Sequence, residues 1–165
     1  MGGPILRNEF EARMNTGTAQ APVWSLIGEG FTSFSQNENP KKYTYQHFDE
    51  PCEYADVVAY SPSLSYSADI YSDNPVISEL MYIADRELTG ADARREIVVI
   101  NKWDQLAPGI FRAYKRAYSI MPGNSADRAQ IMTCSGTMHA CGELVCGAYD
   151  SSTNQFFTEV ILCGS

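Results

Sequence analysis

One stretch of this chain, and one alone, repeats its apolar residues at helical spacing: SDNPVISELMYIADRELTG, residues 72–90. Ile77, Leu80, Met81, Ala84 and Leu88 fall on one face at spacings of three and four, with Glu79, Tyr82, Asp85 and Arg86 opposite. Asp73 or Asn74 is placed to cap, Pro75 suits the first helical position, and Gly90 suits the stop. The spacing therefore predicts a helix over about 75–88, with strand-like sequence on both sides of it. A doubly wound parallel sheet would need about four more crossover helices, and the chain has no room for them. Strands, one helix and more strands argue for an antiparallel β-sandwich or barrel with one flanking α-helix, in a single domain over 1–165.

The strand candidates alternate with period two. LSYSADIY sets Leu64, Tyr66, Ala68 and Ile70 on one face, and Ser65, Ser67 and Asp69 on the other. FRAYKRAYSIM alternates as well, but Arg112, Tyr114, Arg116 and Tyr118 face away from Phe111, Ala113, Lys115 and Ala117. Neither face is simply apolar. This predicts a strand that meets another protein surface, against a solvated edge strand with long stems covering its face. QIMTCSGTMHACGELVCGAY, residues 130–149, reads as two strands or one bent strand, with Gly136, Gly142 and Gly147 at bends or bulges. FFTEVIL is a last strand. The expected core comprises Trp24, Leu26, Leu64, Tyr66, Ile70, the helix face, Ile97 to Ile100 and the C-terminal strands. Residues 1–20 mix charged and apolar residues and are expected to be loosely ordered.

Charge narrows the function. Twenty acidic residues against 12 basic ones leave a net charge of −8, which disfavours tight binding to phosphate backbones. The longest apolar run is far short of the ~20 residues that span a bilayer, so no membrane anchor is expected. The N-terminus lacks an apolar signal-peptide core, and Ile5-Leu6 breaks the myristoylation pattern. Five cysteines without a C-x-x-C pair suggest reduced thiols and a cytoplasmic origin.

Several motifs are then weighed. EIVVINKWDQL carries Asn101-Lys102-Trp103-Asp104, which fits the guanine-reading N-K-x-D of GTPases. None of the four lysines follows a glycine and no Asp has Gly three residues on, so the phosphate cradle and the D-x-x-G are both missing. NKWD is read as a polar turn ending a strand. LIGEGFTS lacks the third glycine of a dinucleotide-binding loop, and Gly28 and Gly30 are read as a bulge between two strand halves. HACGELVC holds His139, Cys141, Glu143 and Cys146, but not the spacing of a zinc deaminase. No G-x-S-x-G occurs, and two histidines, His47 and His139, support no triad. No catalytic residue, metal ligand or cofactor is assigned.

NENPKKYTYQHFDEPCEYADVVAY has a different character. Strand-like Tyr43 to Phe48 runs into the turn signal Asp49-Glu50-Pro51, and a second strand follows near Ala55 to Tyr60. A long hairpin over 37–60 with aromatic, Lys-rimmed arms cannot bury both faces in so small a domain. It is either a floppy surface ribbon or an arm that docks on a neighbour. The arm is the favoured reading, docking through Lys41, Lys42, Tyr43, Tyr45 and Phe48.

A family resemblance joins these pieces. ILRNEFEARMNTGTAQAPVWSLIGEGFTSFSQNENPKKYTY resembles the N-terminal half of bacteriophage tail tube (major tail) proteins from prophages of Gram-positive gut bacteria. DVVAYSPSLSYSADIYSDNPVISELMYIADRELTGADARREIVVINKW continues the likeness, and YKRAYSI and SGTMHACGELVCGAYD match the last strands. The likeness spans nearly the whole chain but includes no signature as specific as a catalytic motif. It implies a virion structural protein and not an enzyme: a β-sandwich with a flanking helix, six copies to a ring and rings stacked into a tube. DNA would pass through the lumen without specific binding. The partners implied are the chain itself and the tape measure, terminator and distal tail proteins. The implied location is the virion tail, after synthesis in the bacterial host cytoplasm. The hairpin over 37–60 falls where family members carry a long hairpin that reaches a neighbouring subunit. Two other classes fit the same strands: a small β-rich binding or decoration module of a virion, and a metal- or thiol-dependent enzyme using His139, Cys141 and Cys146.

Overall fold

The computed structural model describes residues 3–5, 10–18, 20–28, 30–127 and 131–158. The chain is mainly β, with every strand pairing antiparallel. The order along the main sheet is β2 (Trp24–Ile27), β1 (Phe10–Asn15), β7 (Arg94–Ala107), β8 (Ile110–Asp127), β9 (Met132–Ala140), β6 (Ser63–Asp69), β3 (Phe31–Asn37). β10 (Val145–Asp150) also pairs with β8, and β11 (Gln155–Thr158) pairs with β10. β4 (Pro40–Tyr45) and β5 (Tyr54–Tyr60) form a ribbon of their own. The expected antiparallel sheet with one flanking helix and a long hairpin is the fold observed.

The sheet curls because its two ends are tied together. β2 and β3 stand at opposite ends of the order, yet only residues 28–30 connect them. Gly28 and Gly30 therefore mark a corner between two strands, where a bulge between two strand halves was expected; the bulge itself follows at Phe31–Ser33. Gly30 has φ +87°, and a Cβ there would come within 2.9 Å of Tyr71 and 3.0 Å of Ile77. Only glycine meets both demands.

Inside the curl lies the main core: Ala12, Met14, Ile27, Leu64, Tyr66, Ala68, Ile97, Tyr118, Ile120 and Met138 from the strands, against Val76, Ile77, Leu80 and Ile83 of α1 (Pro75–Asp85). The helix starts as expected. Asn74 caps it, its side-chain oxygen accepting from the Val76 and Ile77 amides at 3.0 and 3.3 Å, and Pro75 leads. It stops earlier than expected. Glu87 takes φ 51° and the Leu88 amide donates back to Ile83 O at 3.1 Å, a left-handed close in which Glu87 does what was expected of Gly90. The buried stripe also includes Val76 and Ile83, while Met81 and Leu88 pack only partly against the core.

A second cluster occupies the opposite face. Trp24, Val98, Ile100, Ala113 and Tyr149 pack there with Phe111 and Phe156 at the margin. Ile97 and Val98, neighbours on one strand, belong to different clusters because successive side chains point to opposite faces. The same rule explains β8. Ala113 is buried under the second cluster, while Tyr118 and Ile120 are buried in the main core. Each half of the strand is covered from a different side, so neither face reads as apolar along its length. β8 is not an edge strand, since it pairs with β7 on one side and with β9 and β10 on the other.

Other expectations are corrected by the sheet. Residues 1–20 were expected to be loose, yet Phe10–Asn15 forms β1, held between β2 and β7. Its mixture of charge and apolarity is strand alternation: Ala12 and Met14 point into the core, while Glu11 and Arg13 pair at 3.0 Å on the other face. NKWD is not a turn. Asn101 to Asp104 continue β7, with Lys102 paired to Glu11 at 3.1 Å and Asp104 to Arg112 at 2.6 Å. The turn comes later, at Pro108-Gly109, where Gly109 has φ 77°. Leu26, expected in the core, is 43% exposed, and Ile27 is buried in its place. The run from Met132 to Asp150 is one bent strand in effect, since β9 and β10 follow each other along β8 with a break at 141–144. Gly142 lies in that break. Gly136 sits opposite the register shift at Pro122–Asn124. The last strand is described only as far as Thr158; the rest of FFTEVIL lies outside the described residues.

Candidate functional site

The arm is the continuation of a hairpin whose lower half belongs to the core. β3 pairs with β6 up to Asn37–Ser63, and β4 pairs with β5 from Pro40–Tyr60 outward. Between the two halves is a built joint. Asn39 sits at φ 46°, and its amide side chain donates to Ser61 O and meets Ser63 Oγ, both at 3.1 Å. The Ser61 amide donates back to the carbonyls of Glu38 and Asn39. Asparagine suits the position because it tolerates the left-handed region and carries its own hydrogen-bonding groups. Below the joint, Leu64, Tyr66 and Ala68 are buried; above it, every residue of β5 is exposed.

The arm stiffens itself. Tyr43 stacks on Tyr45 at 5.8 Å and Tyr45 on Tyr54 at 5.6 Å, with His47 edge-on to Tyr45 at 5.5 Å. These contacts join both strands across one face of the ribbon, where Tyr45 opposes Tyr54 and Tyr43 opposes Asp56. The Asp56 carboxylate holds the Tyr45 phenol above its ordinary pKa, by a hydrogen bond first and by its charge second. A bulge between Lys41 and Lys42 adds local twist. At the tip the Glu50 amide donates to His47 O at 3.1 Å, and Gln46 Nε2 donates to Glu50 O at 3.0 Å. Phe48 at the tip is entirely exposed.

The five residues expected to dock are thus brought onto one ribbon. Lys41, Lys42 and Tyr43 are exposed along β4, Tyr45 is half-buried in the tyrosine stack, and Phe48 stands at the tip. The reading from sequence missed the second strand's contribution: Tyr54, Val57, Val58 and Tyr60 are all exposed. The signal was present, since YADVVAY is as strand-like as YTYQHF. What sequence could not show is that no other described element covers it.

The HACGELVC stretch does not converge. His139 ends near β9's close and meets Thr137 at 3.4 Å, while Cys141 and Glu143 lie in the break and are exposed. On one continuous strand His139, Cys141 and Glu143 would share a face; the break at 141–144 takes Cys141 and Glu143 off the strand. Cys52, Cys134 and Cys141 are free thiols, as expected, but Cys146 is disulfide-bonded, against the expectation of reduced cysteines throughout. Cys163 lies outside the described residues. Among the described residues no group of three or more His, Cys, Asp or Glu side chains could hold a metal.

A curled antiparallel sheet, one helix on its inner face and a free-standing aromatic ribbon define a tube-type fold. Solved structures share it. A chain from the tail of an empty gene transfer agent particle, refined with C6 symmetry, superposes with a TM-score of 0.61 over 86% of this chain and 97% of its own, at 11% identity. A chain of the sheath–tube complex of an extracellular contractile injection system in its extended state matches with a TM-score of 0.53, covering 88% and 92% at 11% identity. A chain from the tube terminating cap of the anti-feeding prophage matches at 0.54 and 12% identity, covering 88% and 92%. No protein-family model matches the sequence, and no curated protein does. The likeness lies in the fold.

Proposed function

We propose that this chain is a tail tube subunit, a structural protein that assembles with itself and has no catalytic role. The observation that carries the reading is the arm: a ribbon with an apolar, aromatic surface left uncovered by the described residues of its own domain, on a fold shared with tail and tube structures. Exposed apolar surface of this extent marks an interaction site. In the finer reading six copies form a ring and the rings stack into a tube, with tape measure, terminator and distal tail proteins as further partners in a virion tail. Lys41, Lys42, Tyr43, Tyr45 and Phe48 would lie at the contact between subunits. The net charge of −8 suits a wall past which DNA slides, because each neutralised phosphate would add affinity and friction.

Electron microscopy of the purified chain tests this. Six-fold rings or tubes are expected. A monodisperse monomer at every concentration would point to a binding or decoration module instead.

A further inference from the structure

Among the described residues two side-chain polar atoms are covered without a hydrogen-bond partner: Arg116 Nε and Glu50 Oε2. They carry opposite charge and lie at opposite ends of the arm. Arg116 lines a groove at the arm's root, on the inner face of β7 and β8, with walls from Tyr60, Pro62, Val99, Tyr118 and Leu144. Leu144 is 48% exposed, so the groove presents apolar surface as well as a guanidinium. Glu38 lines the same groove, yet the four ion pairs of the described residues leave both it and Arg116 out. Glu50 is at the arm's tip, two residues from the fully exposed Phe48.

The tip thus offers an aromatic ring and a carboxylate, and the root offers an apolar wall and a cation. The same copy cannot bring them together. β4 runs Pro40–Tyr45 in paired, extended form, and at ~3.3 Å per residue it holds the tip on the order of 20 Å from the root. We infer that the root groove seats the arm tip of a second copy of this chain, with Phe48 on the apolar wall and the Glu50 carboxylate on the Arg116 guanidinium. To make this pair the Glu50 carboxylate turns out of its covered position at the tip, which is part of the inference. Made once between each pair of neighbours, the contact is head-to-tail and propagates into rings or filaments, as the assembly reading requires; a reciprocal exchange of arms would close a dimer instead. The inference rests on the assembly reading above and names the surface that receives the arm.

Charge reversal in the full chain tests it, with assembly followed by sedimentation. Glu50→Arg and Arg116→Glu should each raise the concentration needed for assembly by at least about tenfold, as losing one partner of a covered charge pair does. The double variant E50R/R116E should return to within about threefold of the wild type. A double variant as defective as either single one, with a native circular dichroism spectrum, overturns the inference. So do single variants that assemble like the wild type. Should Arg116→Glu fail to fold, Arg116→Gln and Glu50→Gln replace the reversals, and additive effects in that double-mutant cycle overturn the inference. If the wild type never assembles, the assembly reading falls and takes this one with it. If the wild type assembles and the pair proves uncoupled, only the present inference falls.

Discussion

The two halves of one hairpin, divided at Asn39, have opposite fates. Below the joint, β6 alternates polar and apolar residues, and its apolar set disappears into the core: Leu64 and Ala68 at 0% exposure and Tyr66 at 4%. Above it, β4 and β5 are just as strand-like, yet Tyr43, Val57, Val58 and Tyr60 all exceed half exposed. The difference is not in local propensity but in what stands opposite. The lower half faces α1 and the inside of a curled sheet; the described residues leave β5 of the upper half exposed along its whole length. Burying Leu64 and its neighbours contributes about 1.5–3 kcal/mol for each large apolar side chain. The arm's side chains leave a similar sum unrealised until another surface covers them. A ribbon held by a tyrosine stack and a hydrogen-bonded joint is what the proposed association would use.

Breaking the buried side should have the largest effect. Leu80 is 1% exposed on the inner face of α1. Leu80→Asp places an unpaired carboxylate there at a cost of several kcal/mol, and the expected product is unfolded or insoluble by circular dichroism and solubility. Gly30→Ala comes next. It forces a Cβ onto Tyr71 and Ile77 at a φ that disfavours side chains, and a loss of at least about 1 kcal/mol is expected in denaturant titration. Asn74→Ala removes the cap from the Val76 and Ile77 amides and should lower stability by about 1 kcal/mol.

Alkali gives a graded test of the same core. Burial raises the Tyr66 phenol from 10 to about 12, with Cys134 adding a smaller push, and burial likewise raises Tyr118 and Tyr149. Because the folded state holds these protons more tightly than the unfolded chain, their contribution is complete below pH 10 and is lost as pH rises toward about 12. Thermal melts across that window should show a falling Tm, and Tyr66→Phe should flatten the fall. The arm's Tyr45 is raised by Asp56 first and by burial last, so Tyr45→Phe should flatten the fall much less than Tyr66→Phe.

The features legible in the sequence were those with local causes. The helix announced itself through Asn74, Pro75 and its apolar stripe. The arm announced itself through a turn signal between two aromatic strands. Features decided by partners distant in sequence were not legible. The alternation in β1 looked like a loose charged segment because its cover, from β7 and the helix, is more than 60 residues away. NKWD looked like a turn because polar residues at a strand's end usually are one. Here Lys102 and Asp104 find Glu11 and Arg112 across the sheet and the strand carries on. The mixed faces of FRAYKRAYSIM required knowing that two cores share one strand.

The comparison between the two halves of the hairpin is tested most directly by removing the upper one. Replacing Pro40–Tyr60 with a short Gly-Ser turn deletes no residue of either apolar core. Circular dichroism and thermal melting report the domain, and sedimentation with electron microscopy reports the assembly. The expected result is a folded monomer whose melting temperature is close to that of the full chain and which forms no rings or tubes. Normal tubes from the shortened chain would contradict the account, because the arm would then be a bystander on the surface.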